Sequence, residues 1–247
     1  MIELEAIYWI LKRELIRFWR DRSRVISSFI QPMLFLLVLG SGFSFLKIGD
    51  IDYQIFLFPG VVAISLVGIS IATGISVIWD REFGVLKEIL VAPISRFSIF
   101  LGKALSGCLM ALIQGFIVIL LGIFLSIPIN LDVLLISISL MILISLSLVS
   151  IGLIIASLIE TIESFGVIMN FLVFPMIFLS GAFYPLAQAP NWLRIISYLN
   201  PLTYGVDALR YVIIGKSYFS FPVSVSILIC FSLLTLLIGS FVFNMQK

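Results

Sequence analysis

Asp80, Arg81, Glu82, Lys87, Glu88, Arg96 and Lys103 put seven charged side chains into the 25 residues from Trp79 to Lys103, in a chain that is only 11% charged. Read as a helix from Asp80 to Val91, the segment divides into two faces. Phe83, Val85, Leu86, Ile89 and Leu90 share an apolar face, on which Glu82 intrudes, and Asp80, Arg81, Lys87 and Glu88 gather opposite. Gly84 leaves a gap on the polar face where a partner's surface could approach closely. Pro93 stops the helix. Mixed charges in this arrangement suit recognition of another protein, because they set register and partner choice more than affinity. The plainer alternative is a solvated connecting helix.

Catalytic chemistry has less to work with. The chain has no His, the commonest acid–base catalyst and metal ligand. Cys108 and Cys230 sit inside apolar stretches, where a free Cys packs as a small hydrophobe, and no metal site is expected. Gly215-Lys216-Ser217 is a fragment of a phosphate-binding loop, but the glycine required five residues earlier is replaced by Arg210. The chain is therefore expected to carry no nucleotide site and not to be an enzyme.

The elements that must position these residues are membrane helices. The chain is 62% hydrophobic, with a mean hydropathy of +1.25, well outside the range of water-soluble domains. Six uncharged windows each reach at least 22 residues, and about 20 suffice to cross a hydrocarbon core. They are continuously apolar rather than alternating, which argues against a strand reading. The predicted fold is all-α and polytopic, a single domain over 1–247 with spans at 25–46, 54–79, 104–126, 133–159, 164–184 and 220–243. An even number of spans puts both termini on one side. That side carries eleven of the fifteen Lys and Arg, so the positive-inside bias places both termini and the 80–92 segment in the cytoplasm. No cleavable signal is expected, since the first window opens after 24 residues and is too long for a signal core. A net charge of +2 does not point to a nucleic-acid partner.

Two further segments flank the spans. Residues 3–22 place Leu4, Ile7, Leu11, Leu15 and Phe18 on one helical stripe, with Lys12, Arg13, Arg17 and Arg20 mostly elsewhere. That pattern describes a helix lying in the membrane interface in contact with lipid. Residues 185–216 are too amphipathic for a span and too apolar for a solvated loop. Pro190 can open one short helix there, and Asn200-Pro201 should end it and begin another. The second would carry Asp207 and Arg210 three residues apart and able to pair. Two short helices dipping into the outer leaflet and returning form the expected re-entrant hairpin. No ionisable residue lies in the middle of any apolar window, which argues against a proton- or ion-coupled carrier. Pro32, Pro59 and Pro175 should kink their spans.

Three stretches together resemble a known family. EFGVLKEILVAPISRFSIFLGK, the basic run ending RDRSRVISSFIQP, and LSGAFYPLAQAPNWLRIISYLNPLTYGVDALR are similar, in that family's order and spacing, to type-2 ATP-binding-cassette exporter permeases. The drug- and nodulation-factor-export branch is nearest. The resemblance implies a permease in the cytoplasmic (inner) membrane that pairs with a second copy and binds two separate ATPase subunits, which hold the ATP and Mg. It implies that Glu82, Phe83, Gly84, Lys87, Glu88 and Pro93 form the ATPase-coupling contact, braced by Arg13, Arg17 and Arg20 of the interface helix. Asn200, Pro201, Asp207 and Arg210 would belong to an extracellular gate. The cargo implied is amphipathic or hydrophobic, a drug-like molecule or lipid. A polysaccharide or lipid-linked glycan exporter, and an ATP-independent channel or scaffold, are the alternatives.

Overall fold

The computed structural model describes residues 2–85, 88, 91, 93–125, 127 and 129–245. A first helix, α1 (Ile2–Arg20), is followed after Asp21 by α2 (Arg22–Leu34). The latter passes into a π-helical stretch, Phe35–Leu39, and a short α3 (Gly40–Gly42). A two-residue antiparallel hairpin, β1 (Lys47–Ile48) and β2 (Ile51–Asp52), leads into α4 (Tyr53–Glu82). Then come α5 (Arg96–Leu121), α6 (Leu131–Leu158), α7 (Ile162–Leu179), α8 (Asn191–Tyr198), α9 (Pro201–Ile214) and α10 (Phe221–Asn244). Six of these segments are long and apolar enough to cross a membrane: Val25–Gly42, α4, α5, α6, α7 and α10.

Burial sorts the six into a centre and a rim. In the most apolar stretch of α4, 78% of residues are buried, against 17% for both Val25–Gly42 and α7 and 22% for α10. Small residues let the central helices approach closely. A side chain at Gly152 of α6 would meet the Ser70 carbonyl at 2.7 Å, and one at Gly74 of α4 would meet the Gly152 carbonyl at 2.9 Å. The rim helices keep broad apolar faces outward, including Ile30, Leu34 and Val38 on one side and Phe171, Phe174 and Phe178 on another.

Prolines inside the spans are absorbed locally. Pro32 has no N–H for the Ser28 carbonyl four residues back. That carbonyl instead accepts from Gln114 Nε2 of α5 at 2.7 Å. The π-helical turn begins three residues later. Pro59 and Pro175 stand within continuous helices. Of the two cysteines, Cys108 is buried with its Sγ 3.0 Å from Ser145 Oγ, whereas Cys230 is exposed on α10, contrary to its expected burial. An apolar window is buried on all sides only at the centre of a bundle, and α10 is at the rim.

Candidate functional site

The start of α1 and the C-terminal ends of α4, α6 and α10 lie at one end of the bundle. Their open carbonyls and dipoles draw cations. Basic residues of the charged segment answer two of them. Arg81 Nη1 donates to the Ile159 carbonyl at the end of α6, at 2.8 Å. Arg96 Nη1 donates to the Asn244 carbonyl at the end of α10, at 2.9 Å. Ser95, the N-cap of α5, is held from the other side, its N–H and hydroxyl donating to the Glu3 carboxylate at 3.0 and 2.8 Å.

Beneath this layer lies a buried ion cluster. Lys103 is fully buried, about two turns into α5, and Asp80 and Glu14 are each only 3% exposed. Lys103 Nζ donates to Glu14 Oε1 at 2.8 Å and to Ser76 Oγ at 3.4 Å, and it pairs with Asp80 Oδ2. Arg13 Nη2 bridges Glu14 at 2.6 Å and Asp80 at 2.5 Å, while Arg17 Nη1 reaches Asp80 Oδ1 at 3.0 Å. Arg17 also lies over the Trp79 ring, 5.3 Å from its centroid. Three cations thus surround two carboxylates and tie together α1, α4 and α5. Burial alone would push the Glu14 carboxyl up, but the Lys103 ammonium and the Arg13 guanidinium outweigh it and hold it at about 2. A cavity of about 10 Å³ between Glu14, Arg17, Phe18, Thr73 and Ser76 adjoins the cluster, room for a single water. Gly102 lets α1 come close, because a side chain there would meet Ile10 at 3.0 Å.

This arrangement changes the reading of the charged segment in three ways. Asp80 and Arg81 do not share an outward polar face with Glu88. They belong to the last turn of α4, where burial of Asp80 against α1 and the bond from Arg81 to the end of α6 override the helical-wheel reading. The 80–91 stretch is not one helix, because α4 ends at Glu82 and Gly84 has φ +76°, the left-handed conformation that closes a helix. Gly84 N–H closes that end on the Arg81 carbonyl at 3.1 Å. Phe83, expected on the packed face, is instead 77% exposed. Beyond the break Val85, Glu88 and Val91 are helical, and Glu82, Glu88, Val91 and Pro93 are exposed. Lys87 lies outside the described residues, as do Leu86, Ile89 and Leu90. Arg20 is exposed, apart from the cluster that holds Arg13 and Arg17. Lys103 escaped the sequence reading because it lies next to the apolar window that opens at Ala104 and reads as its boundary. A Lys seven residues inside a helix that begins at Arg96 is the signal that could have found it.

At the opposite end, charges are held mainly by backbone. Asn200 caps α9, its Oδ1 accepting from Leu202 N–H at 3.1 Å, with Pro201 in the first turn. Its Nδ2 donates to the Met176 carbonyl at 2.7 Å, and Thr203 reaches the Leu179 carbonyl, so α9 satisfies open carbonyls in the last turn of α7. Arg210 Nη2 donates to the Gly181 carbonyl at 2.8 Å, and its guanidinium lies 4.0 Å from the Phe56 ring centroid. Asp207 does not pair with Arg210 as the spacing predicted. Its two oxygens accept from the backbone N–H groups of Tyr218 and Phe219 at 2.7 and 3.0 Å. Two unsatisfied amides of the turn into α10 outbid a side chain three residues away on the same helix. Gly215, of the discarded phosphate-loop fragment, is the left-handed end of α9, with φ +72°.

Two apolar cavities open on the rim. One of about 470 Å³ lies between Ile151, Phe171, Met176, Leu199, Asn200 and Phe231. The other, about 640 Å³, follows α2 along Ser27, Gln31, Leu34 and Val38.

Comparison with known proteins places this architecture. The ABC-2 type transporter family matches residues 5–214. The transport permease ycf38 of Cyanophora paradoxa is 32% identical over 215 residues, covering 85% of this chain and 74% of its own. Escherichia coli K12 YbhR, named as a multidrug ABC transporter permease, is 33% identical over 165 residues, 66% of this chain and 45% of its own. YadH of the same strain, named as an inner membrane transport permease, is 24% identical over 218 residues, 85% of each chain. With six apolar helices and a family match across most of its length, the chain is a membrane permease of the ABC-2 type transporter family.

Proposed function

We propose that this chain is the membrane subunit of an ATP-driven exporter for amphipathic or hydrophobic molecules, drug-like or lipid, working as a homodimer with two separate ATPase subunits. In this reading the end bearing both termini faces the cytoplasm in the inner membrane, where its excess of Lys and Arg is favoured. ATP and Mg would be held by the partner, and this chain would have no nucleotide site of its own. The observation that carries the reading is the charged end of α4, the most buried spanning helix: it stops at Glu82, Gly84 takes the left-handed conformation, and Phe83 and Glu88 on either side of Gly84 are exposed. An exposed aromatic beside charges is what a protein partner can grip. A push on Glu82–Phe83 would pass through Asp80 to Arg13, Arg17 and Lys103, moving α1 and α5 with α4. Arg20 would brace the ATPase from α1, which would lie in the membrane interface. The α8–α9 block would be the re-entrant hairpin of an outer gate, with Asn200, Pro201, Asp207 and Arg210 setting its resting geometry. The rim cavities have the volume and apolar lining that drug-sized cargo needs.

Co-purification in detergent with its cognate ATPase tests this. The wild-type chain should retain the ATPase and raise its turnover. The double variant Phe83→Glu, Glu88→Arg, both at exposed positions, should do neither while melting at the wild-type temperature. Wild-type protein that binds no ATPase, or that conducts ions in pure liposomes, would replace the exporter reading with an ATP-independent channel.

A further inference from the structure

Arg210 holds a charge in an unusual setting. It is 5% exposed, and its Nε–H has no hydrogen-bond partner among the described residues. A buried guanidinium N–H left unpaired is destabilising unless something accepts from it. Arg210 also lines a cavity of about 150 Å³ at the end of the bundle opposite the start of α1, with Ile48, Ile51, Phe56, Leu186, Lys216 and Tyr218.

The cavity carries two cations and no carboxylate. Lys216 is the second cation, and its Nζ lies back over the hairpin turn. A Cβ built on Gly49, which sits at φ +63°, would be 3.7 Å from that nitrogen. The nearby acids are otherwise placed. Asp207 is turned to the amides of Tyr218 and Phe219, and Asp50 and Asp52 of the hairpin are exposed outside the lining. Among the described residues, neither Arg210 nor Lys216 forms a salt bridge. Phe56 holds the guanidinium plane by its ring face and the Gly181 carbonyl fixes one Nη, so the remaining edge is preorganised. A planar guanidinium edge beside an ammonium matches the oxygens of a phosphate or carboxylate. The volume is below that of drug-sized pockets, which start near 300 Å³, and Ile48, Ile51 and Leu186 make one wall apolar.

We propose that this cavity is an anion-binding site, in which Arg210 and Lys216 receive a single phosphate or carboxylate group. Acidic lipid headgroups and free anions share that chemistry. The site stands independently of the exporter reading, because it rests on residues at the other end of the bundle.

The test uses delipidated protein in neutral detergent and two probes, inorganic phosphate by equilibrium dialysis and phosphatidylglycerol against phosphatidylcholine by native mass spectrometry. Lys216→Glu is the informative variant, since Lys216 is exposed and its reversal leaves the Arg210–Gly181 bond intact, whereas loss of Arg210 could unfold the block. Saturable phosphate binding weakened about tenfold by Lys216→Glu identifies a free-anion site. Binding of phosphatidylglycerol but not phosphate, with the same loss in Lys216→Glu and none in Lys12→Glu at the other end, identifies a headgroup site. No saturable binding of either probe, or binding that Lys216→Glu leaves unchanged, overturns the proposal.

Discussion

The two ends of the bundle solve the same problem differently. Each must hold charged side chains against a mostly apolar interior. At the end where α1 starts, Arg13, Glu14, Arg17, Asp80 and Lys103 satisfy one another, side chain to side chain, across three helices. At the far end, Asn200 and Arg210 give their hydrogens to main-chain carbonyls of Met176 and Gly181, and Asp207 takes main-chain N–H groups. The first device depends on the charge state and position of several helices together, so it breaks as a unit. The second depends on turn geometry, so its members fail one at a time. A cluster that fails together suits an element meant to move three helices at once.

The comparison predicts unequal costs. Asp80→Ala removes the shared partner of Arg13, Arg17 and Lys103 and leaves the buried ammonium with Glu14 as its one carboxylate. It should cost about 3–5 kcal/mol in thermal unfolding in detergent. Pairing it with Lys103→Met should recover part of that, since two apolar groups need no partners. A double variant as unstable as the single one would mean that the cluster is not the source of the loss. Acid should act on the same end. The Glu14 carboxyl is held below its free value near 4.5, so its contribution is complete above that pH and is lost as pH falls toward about 2. The loss is on the order of 3 kcal/mol, and Glu14→Gln should flatten this part of a melting-temperature profile recorded from pH 6 to 2. At the far end, Asn200→Ala removes a helix cap and the bond to Met176, for about 1–2 kcal/mol. The same measurement checks it, with no change in acid sensitivity. The smallest effect is just past the end of α4, where Gly84→Ala places a side chain at φ +76° for roughly 1 kcal/mol. Limited proteolysis after residue 84 should quicken, while the melting temperature barely moves.

How much of this could be read beforehand depends on how local the cause is. Six spans follow from run length alone, because the thickness of a hydrocarbon core sets how long an uncharged stretch must be. The break at Asn200-Pro201 follows from two adjacent residues, one able to cap and one unable to continue a helix, and α9 begins there. The Asp80–Val91 helix was misread because a helical wheel assigns faces without knowing that α4 runs on to Glu82 or that α1 packs over its last turn. Asp207 was misread for a similar reason, since its true partners lie 11 and 12 residues on in the chain. The buried Lys103 was hidden by its place next to the opening of an apolar window, where a charge reads as a membrane boundary.

By itself, then, the amino-acid sequence determined the number of spanning helices, the concentration of charge at one end, and the boundary at Asn200-Pro201 that opens α9. These are set by hydrophobic run length and by hydrogen bonds within a few residues. Only the tertiary structure decided which charges are exposed and which are buried, because Arg13 meets Asp80 across 67 residues and Arg210 meets Gly181 across 29. A buried charge must find a counter-charge or a carbonyl wherever packing brings one within reach, and that reach is a property of three dimensions.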